Sequence, residues 1–166
     1  MLQGKVSLAD FPKEGMVLSG DLSIGPEALP GDFVAGINRL HVEARLFKLG
    51  DSFHMDGTLE AEMELACGRC LESYAYQDRI GIRHSLQPDG RELGPDEFAY
   101  VEEAFDLEAM VRELLEVNLP MKPLCNEACK GLCPSCGANW NLGACDCRPE
   151  PEGALAEALR KLTKGE

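Results

Sequence analysis

Six of the chain's eight cysteines fall between Cys125 and Cys147, and the other two form Cys67-Gly-Arg-Cys70 about sixty residues earlier. No other feature limits the fold so tightly, because thiolates that share a metal ion must converge whatever their separation along the chain. Cys133-Pro-Ser-Cys136-Gly137 has the spacing of a zinc knuckle. Two thiolates with two residues between them can wrap one ion, and the glycine after the second frees the backbone to turn beneath it. Cys145-Asp-Cys147 follows after Gly137, Asn139, Asn141 and Gly143, residues suited to a tight reversal. Cys125 and Cys129 are then left over locally, and Cys67 and Cys70 globally. Eight cysteines divide into two four-thiolate sites, and two zinc ions are the expected cofactors.

Two other uses of these thiols compete. Cys129-x3-Cys133-x2-Cys136 copies the spacing by which radical enzymes hold an iron–sulfur cluster. Those enzymes need a barrel of roughly 200 residues or more, and this chain has 166. Disulfides persist in oxidising compartments. The amino terminus, MLQGKVSLADFPKEGM, carries no continuous apolar run of a secretory signal, and no segment approaches the ~20 apolar residues that span a bilayer. The expected setting is a reducing cytoplasm, with no membrane partner.

The strand signal is strong. Leu40, Val42, Ala44 and Leu46 alternate with polar residues, as in a half-buried strand. After a Gly50-Asp51 turn, Phe53, Met55, Gly57, Leu59, Ala61, Met63 and Leu65 share one side, opposite His54, Asp56, Thr58, Glu60, Glu62 and Glu64. Alternation resumes beyond Cys70 with Tyr74, Tyr76, Ile80, Ile82 and Leu86. On the wet face, Arg45, Arg79 and Arg83 can lie across from Glu60, Glu62 and Glu64. Before Leu40, Val6 and Leu8, then Val17 and Leu18, can join a sheet edge, and Phe98 to Val101 can form a further strand.

Asp106 can cap a helix with apolar positions Leu107, Met110, Val111, Leu114 and Leu115, stopped by Pro120. The expected architecture is α+β: an antiparallel β-meander covered by this helix, with a cysteine-rich zinc-binding C-terminal segment. The expected boundaries are a sheet-plus-helix core over 1–120, a zinc-binding module over 121–150 and a short helix or tail over 151–166. In that tail, Leu155, Ala158, Leu159 and Leu162 share one helical side.

Register suggests how the cysteines divide. Cys67 continues the inward run Met63, Leu65, Cys67, and the helix releases Cys125 and Cys129 after Pro120 and Pro123. One site is therefore assigned to Cys67, Cys70, Cys125 and Cys129, the other to Cys133, Cys136, Cys145 and Cys147. The rival pairing groups Cys125, Cys129, Cys133 and Cys136 and leaves Cys67 and Cys70 to find Cys145 and Cys147.

The formal charge is −13, against the basic excess expected of a broad phosphate-binding face. Residues 92–116 hold nine acids and one base, net −8. Acidity on this scale favours basic partners, although a solvated acidic surface with no particular partner has the same composition. A catalytic zinc keeps an open position and recruits a general base. Here the thiolates can all be consumed in closed sites, and His41, His54 and His84 are scattered along the strands. No phosphate-cradling loop, nucleophile elbow or paired-histidine helix occurs. The chain reads as a non-enzymatic zinc module without a small-molecule substrate.

Cys-Gly-Arg-Cys-Leu at 67–71, Phe-Asp-Leu-Glu at 105–108, Leu-Pro-Met-Lys-Pro-Leu-Cys at 119–125 and Gly-Leu-Cys-Pro-Ser-Cys-Gly-Ala-Asn-Trp-Asn at 131–141 together resemble the YceD family. Its members are bacterial proteins implicated in accumulation of large-subunit ribosomal RNA. The resemblance runs from about Cys67 to the carboxyl end and implies ribosome biogenesis more firmly than any activity. It makes Cys67 and Cys70 the family's paired cysteines and Arg69 the arginine between them.

Three function classes follow. The first is an assembly adaptor whose acidic residues, Glu102 and Glu103 among them, meet a basic ribosomal protein or a pre-ribosomal RNA–protein intermediate. The second is direct RNA binding through a basic spot formed by Arg69, Lys122, Lys130 and Arg148. The third is a redox-sensing zinc switch in which oxidation of Cys145 and Cys147 ejects metal.

Overall fold

The structure, a computed structural model, describes residues 1–50 and 52–147. The expected tail helix, Arg148 and Asp51 of the expected turn lie outside the described residues. The chain divides into two compact units, Met1–Cys125 and Asn126–Glu166.

The first unit carries seven strands and one α-helix: β1 (Lys5–Ser7), β2 (Met16–Leu22), β3 (Val34–Leu49), β4 (Ser52–Ala66), β5 (Ser73–Pro88), β6 (Glu97–Val101), β7 (Ala104–Asp106) and α1 (Leu107–Asn118). A short 3₁₀ turn, Pro26–Ala28, precedes β3. The long strands follow from alternation. Leu40, Val42, Ala44 and Leu46 are buried on β3, Phe53, Met55, Leu59, Ala61, Met63 and Leu65 on β4, and Ile80, Ile82 and Leu86 on β5. On the opposite face Arg79 meets Glu60 at 3.8 Å and Arg83 meets Asp56 at 3.6 Å, exposed pairs worth ~0–1 kcal/mol each. Arg45 instead donates to the Glu14 carbonyl.

The expected antiparallel meander covered by a helix is not the fold. All seven strands form one mixed sheet in the order β1-β7-β6-β5-β4-β3-β2, curled into a half-barrel. β3, β4 and β5 pair antiparallel in sequence, but β6 runs parallel to β5, from Ser85 opposite Glu97 to Pro88 opposite Tyr100. Parallel neighbours normally need a longer crossover. Here β6 overlaps only the last turnings of β5, so the loop at 89–96 has little distance to retrace.

Geometry requires the curl. Lys5–Ser7 pair with β7, while the Leu2 amide donates to the Asp21 carbonyl of β2 at 2.8 Å. In a flat sheet β7 and β2 would stand five strand spacings apart, about 24 Å at ~4.8 Å each. The chain from Leu2 to Lys5 can reach only ~11 Å. The two ends of the strand order must therefore approach one another. Gly57 assists: a Cβ there would run into the Glu43 carbonyl and the Ala44 backbone on β3, so a larger residue would force these strands apart.

The buried side chains of α1 share one apolar cluster with those of the curled sheet, and its backbone approaches β1. Its first turn is tied there by Leu107 N–H and Glu108 N–H, which both donate to the Gly4 carbonyl. The helix itself forms for local reasons. Asp106 caps it by accepting from Ala109 N–H at 2.9 Å, Glu108 complements the dipole, and Leu107, Met110, Val111, Leu114 and Leu115 are buried.

Candidate metal centres

The end of β4 and the start of β5 are joined by the first knuckle. Cys67 is fully buried because it extends the inward register of Met63 and Leu65. Its amide donates to the Glu72 carbonyl at 2.9 Å, and Leu71 N–H donates back to the Cys67 carbonyl at 2.9 Å. Arg69 N–H points at the Cys67 sulfur, 3.4 Å away. Gly68 N–H donates to the Pro123 carbonyl at 2.7 Å, which ties the chain leaving α1 to this turn. Cys70 Sγ and Cys125 Sγ then stand 3.7 Å apart.

The second unit repeats the device. Cys133 N–H donates to the Ala138 carbonyl and Gly137 N–H to the Cys133 carbonyl, both at 2.8 Å. Leu132 and Asn139 form an antiparallel bridge across the turn. Trp140 Nε1–H donates to Cys145 Sγ at 3.4 Å, and Asn141 Nδ2–H to Cys129 Sγ at 3.3 Å. Asn141 also accepts from Lys130 N–H at 2.8 Å, so one amide ties the loop to the Cys129 turn.

The sulfurs of Cys67, Cys70, Cys125 and Cys129 lie within 4.8 Å of one another, as do those of Cys133, Cys136, Cys145 and Cys147. Each tetrad could hold a metal ion. Four thiolates at ~2.3 Å from a tetrahedral zinc are separated by about 3.8 Å, and the 3.7 Å between Cys70 and Cys125 fits that edge. A disulfide requires about 2.05 Å, far shorter than the 3.7 Å between Cys70 and Cys125.

The thiols bear the marks of crowded sulfur. Burial pushes Cys67 up, but the backbone amides of Cys125, Cys70 and Arg69 outweigh it and bring the thiol down to about 6. The Trp140 indole and the Cys147 backbone bring Cys145 down to about 6. Cys147 moves the other way, to about 12, chiefly through its hydrogen bond with Cys136. Four sulfurs this close cannot all carry negative charge without a cation among them. Tyr74 is raised by burial and by the Cys67 charge.

Other residues singled out in the sequence are placed as follows. Arg69 and Lys122 are exposed and flank the Gly68–Pro123 hydrogen bond, whereas Lys130 is exposed on the second unit. Glu102 and Glu103 are exposed and form the two-residue turn between β6 and β7, both with positive φ. Such a turn favours Asn-Gly, which is why the acidic pair did not signal a hairpin. Sequence reading gave Asn141 only a place in a tight reversal and gave Trp140 no role. Their signal was an Asn-Trp-Asn run between two cysteine pairs, with indole and amide donors available to sulfur.

A profile of the family described as "Large ribosomal RNA subunit accumulation protein YceD" matches residues 55–163, well over half the chain and all eight cysteines. The chain belongs to the YceD family. A YceD relative from Arabidopsis thaliana, "Large ribosomal RNA subunit accumulation protein YCED homolog 1, chloroplastic", is 24% identical over 89% of this chain and 55% of its own length. An uncharacterized protein of Mycobacterium tuberculosis is 28% identical over 59% of this chain and 50% of its own. The maize YCED homolog 1 is 34% identical, over 31% of this chain and 18% of its own length. The chain thus spans about half the length of the first two relatives. No solved structure matches it. The YceD name describes an accumulation factor rather than a reaction, and among the described residues no helix is long and apolar enough to cross a membrane.

Proposed function

We propose that this protein is a non-enzymatic, zinc-stabilised factor that supports accumulation of large-subunit ribosomal RNA by binding a basic ribosomal protein or an assembly intermediate. The convergence of eight thiols into two tetrads carries the metal reading. Zinc suits a closed four-sulfur set because it has no geometric preference of its own and undergoes no redox chemistry. The first tetrad joins the β4–β5 turn to the chain leaving α1, so its ion would fix the knuckle against the helix exit. A reducing compartment is the proposed setting, since thiolates must stay available to metal; the Arabidopsis relative is named chloroplastic.

The partner reading rests on charge. Eight of the nine acidic residues between 92 and 116 are exposed, Glu97 alone being half-buried. Glu102 and Glu103 lie at the β6–β7 turn and Glu108 in the first turn of α1. Opposite charge on a partner speeds encounter and sets orientation. A second reading, direct contact with single-stranded RNA, is favoured by an open cavity of about 500 Å³ on the second unit, lined by Lys130, Trp140 and Leu142. An aromatic ring beside a cation is a common platform for an unpaired base.

One binding experiment separates them. Purified protein is titrated with basic large-subunit ribosomal proteins and, separately, with single-stranded ribosomal RNA fragments. Replacing Glu102, Glu103 and Glu108 with lysine should weaken the protein complexes and leave the fold intact. Unchanged protein binding, with RNA binding lost on Trp140→Ala, would replace the first reading with the second.

A further inference from the structure

The two tetrads differ in their surroundings. Cys67, Cys70 and Cys129 are buried, leaving Cys125 as the exposed member of the first group. In the second group only Cys133 is buried, while Cys136 and Cys147 are exposed and Cys145 is half-buried. Cys67 and Cys70 of the first group sit in the turn between two long strands, beside the fully buried Leu65. The second is carried by turns joined through one β-bridge and a few hydrogen bonds. An oxidant arriving from solvent thus meets two open sulfurs in the second group and one in the first.

Resting on the zinc reading above, we propose that the second tetrad is a peroxide-responsive metal site, which loses its ion on oxidation while the first tetrad keeps its own. The two exposed thiolates, Cys136 and Cys147, belong to one group of sulfurs within 4.8 Å, so a short movement brings them to bonding distance. One thiolate sulfur attacks a peroxide oxygen and breaks the O–O bond. The departing hydroxide takes a proton and leaves as water, and the sulfur becomes a sulfenic acid. The other thiolate attacks that sulfur, closes the disulfide and expels the hydroxyl, which leaves as a second water after protonation. Two electrons pass from the two thiolates to one peroxide, and zinc keeps its charge throughout. With two ligands gone, the ion is left with Cys133 and Cys145 and dissociates.

Trp140 supplies an internal reporter. It is the protein's single tryptophan, and its indole N–H donates to Cys145 Sγ at 3.4 Å. Its emission therefore reports most directly on the second site, where its indole meets a ligand sulfur.

The experiment starts from full-length protein whose zinc content has been measured. One equivalent of hydrogen peroxide is added while a chromogenic chelator follows released zinc, tryptophan emission is recorded, and peptide mapping locates the disulfide. The expected result is release of one of two zinc equivalents, in step with an emission change, with a Cys136–Cys147 disulfide. Thiol reductant with added zinc should restore both signals. Release of both equivalents together, or first oxidation at Cys67, Cys70, Cys125 or Cys129, would overturn the proposal while leaving the two-zinc reading standing. Absence of zinc at the outset would instead sink the metal reading and this proposal with it.

Discussion

Leu71 occupies in the first knuckle the place that Gly137 occupies in the second. Both follow the second cysteine of a Cys-x-x-Cys pair, and both are left-handed, with φ of 61° and 74°. Each amide donates to the carbonyl of the first cysteine, at 2.9 Å and 2.8 Å. A left-handed backbone costs a residue with a Cβ about 1–2 kcal/mol, and glycine nearly nothing. The first knuckle therefore carries strain that the second avoids. A tight four-sulfur site is the structural element over-determining that conformation.

Leu71→Gly should stabilise the first unit. Relief of strain exceeds the extra freedom glycine gives the unfolded chain, which costs ~0.4–1 kcal/mol. Leu71 is 69% exposed, so little packing is lost. The net gain should not exceed about 1.6 kcal/mol. Gly137→Ala should do the reverse at the second knuckle, where a Cβ meets no neighbour and only the backbone objects. Denaturant midpoints and zinc affinities of the two variants check both signs.

Cys67→Ser and Cys145→Ser should differ in reach. Cys67 is buried in the β4 register and its group spans more than fifty residues of chain, so its loss should lower the unfolding midpoint of the whole first unit. Cys145 belongs to a local loop, and its loss should disturb amides near 130–147 alone. Amide hydrogen exchange on both variants distinguishes a global from a local effect. Equal, global destabilisation by both would contradict the division of labour.

Much of this was legible in the sequence. The alternation in β3, β4 and β5 and the cap and apolar stripe of α1 are local patterns, each contained within its own segment. The parallel placement of β6 and the curl were not, because they depend on pairings between distant short strands. Nothing in Lys5–Ser7 or Ala104–Asp106 reveals that these segments pair, and nothing in Leu2 reveals its bond to Asp21. At the thiol clusters, cysteine spacing revealed the likeness of the two pairs. Leu71 hid the likeness of their turns, since leucine does not advertise a left-handed conformation.

The metal-free protein should lose stability as pH falls from about 9 to about 6. Cys67 has its thiol lowered from 9.0 to about 6 in the folded chain. Its contribution is therefore complete above pH 9, declines through the interval, and is gone below the folded value. Cys145 changes in the same direction. Cys147, raised to about 12, contributes stability that is constant below pH 9 and fades only above it, so it does not reverse the sign in this window. Urea midpoints of chelator-treated protein at pH 9 and pH 6 test the slope, and Cys67→Ser should flatten it.

Metal content bears most directly on two tetrads each closing on one zinc ion. Protein purified without added metal, kept under reductant, should be colourless and contain two zinc ions per chain by elemental analysis and native mass. After replacement by cadmium, cadmium-113 NMR should give two signals in the four-thiolate range, one coupled to Cys67, Cys70, Cys125 and Cys129 and the other to Cys133, Cys136, Cys145 and Cys147. A brown solution with stoichiometric iron and sulfide, or coupling of Cys67 and Cys145 to the same ion, would contradict it.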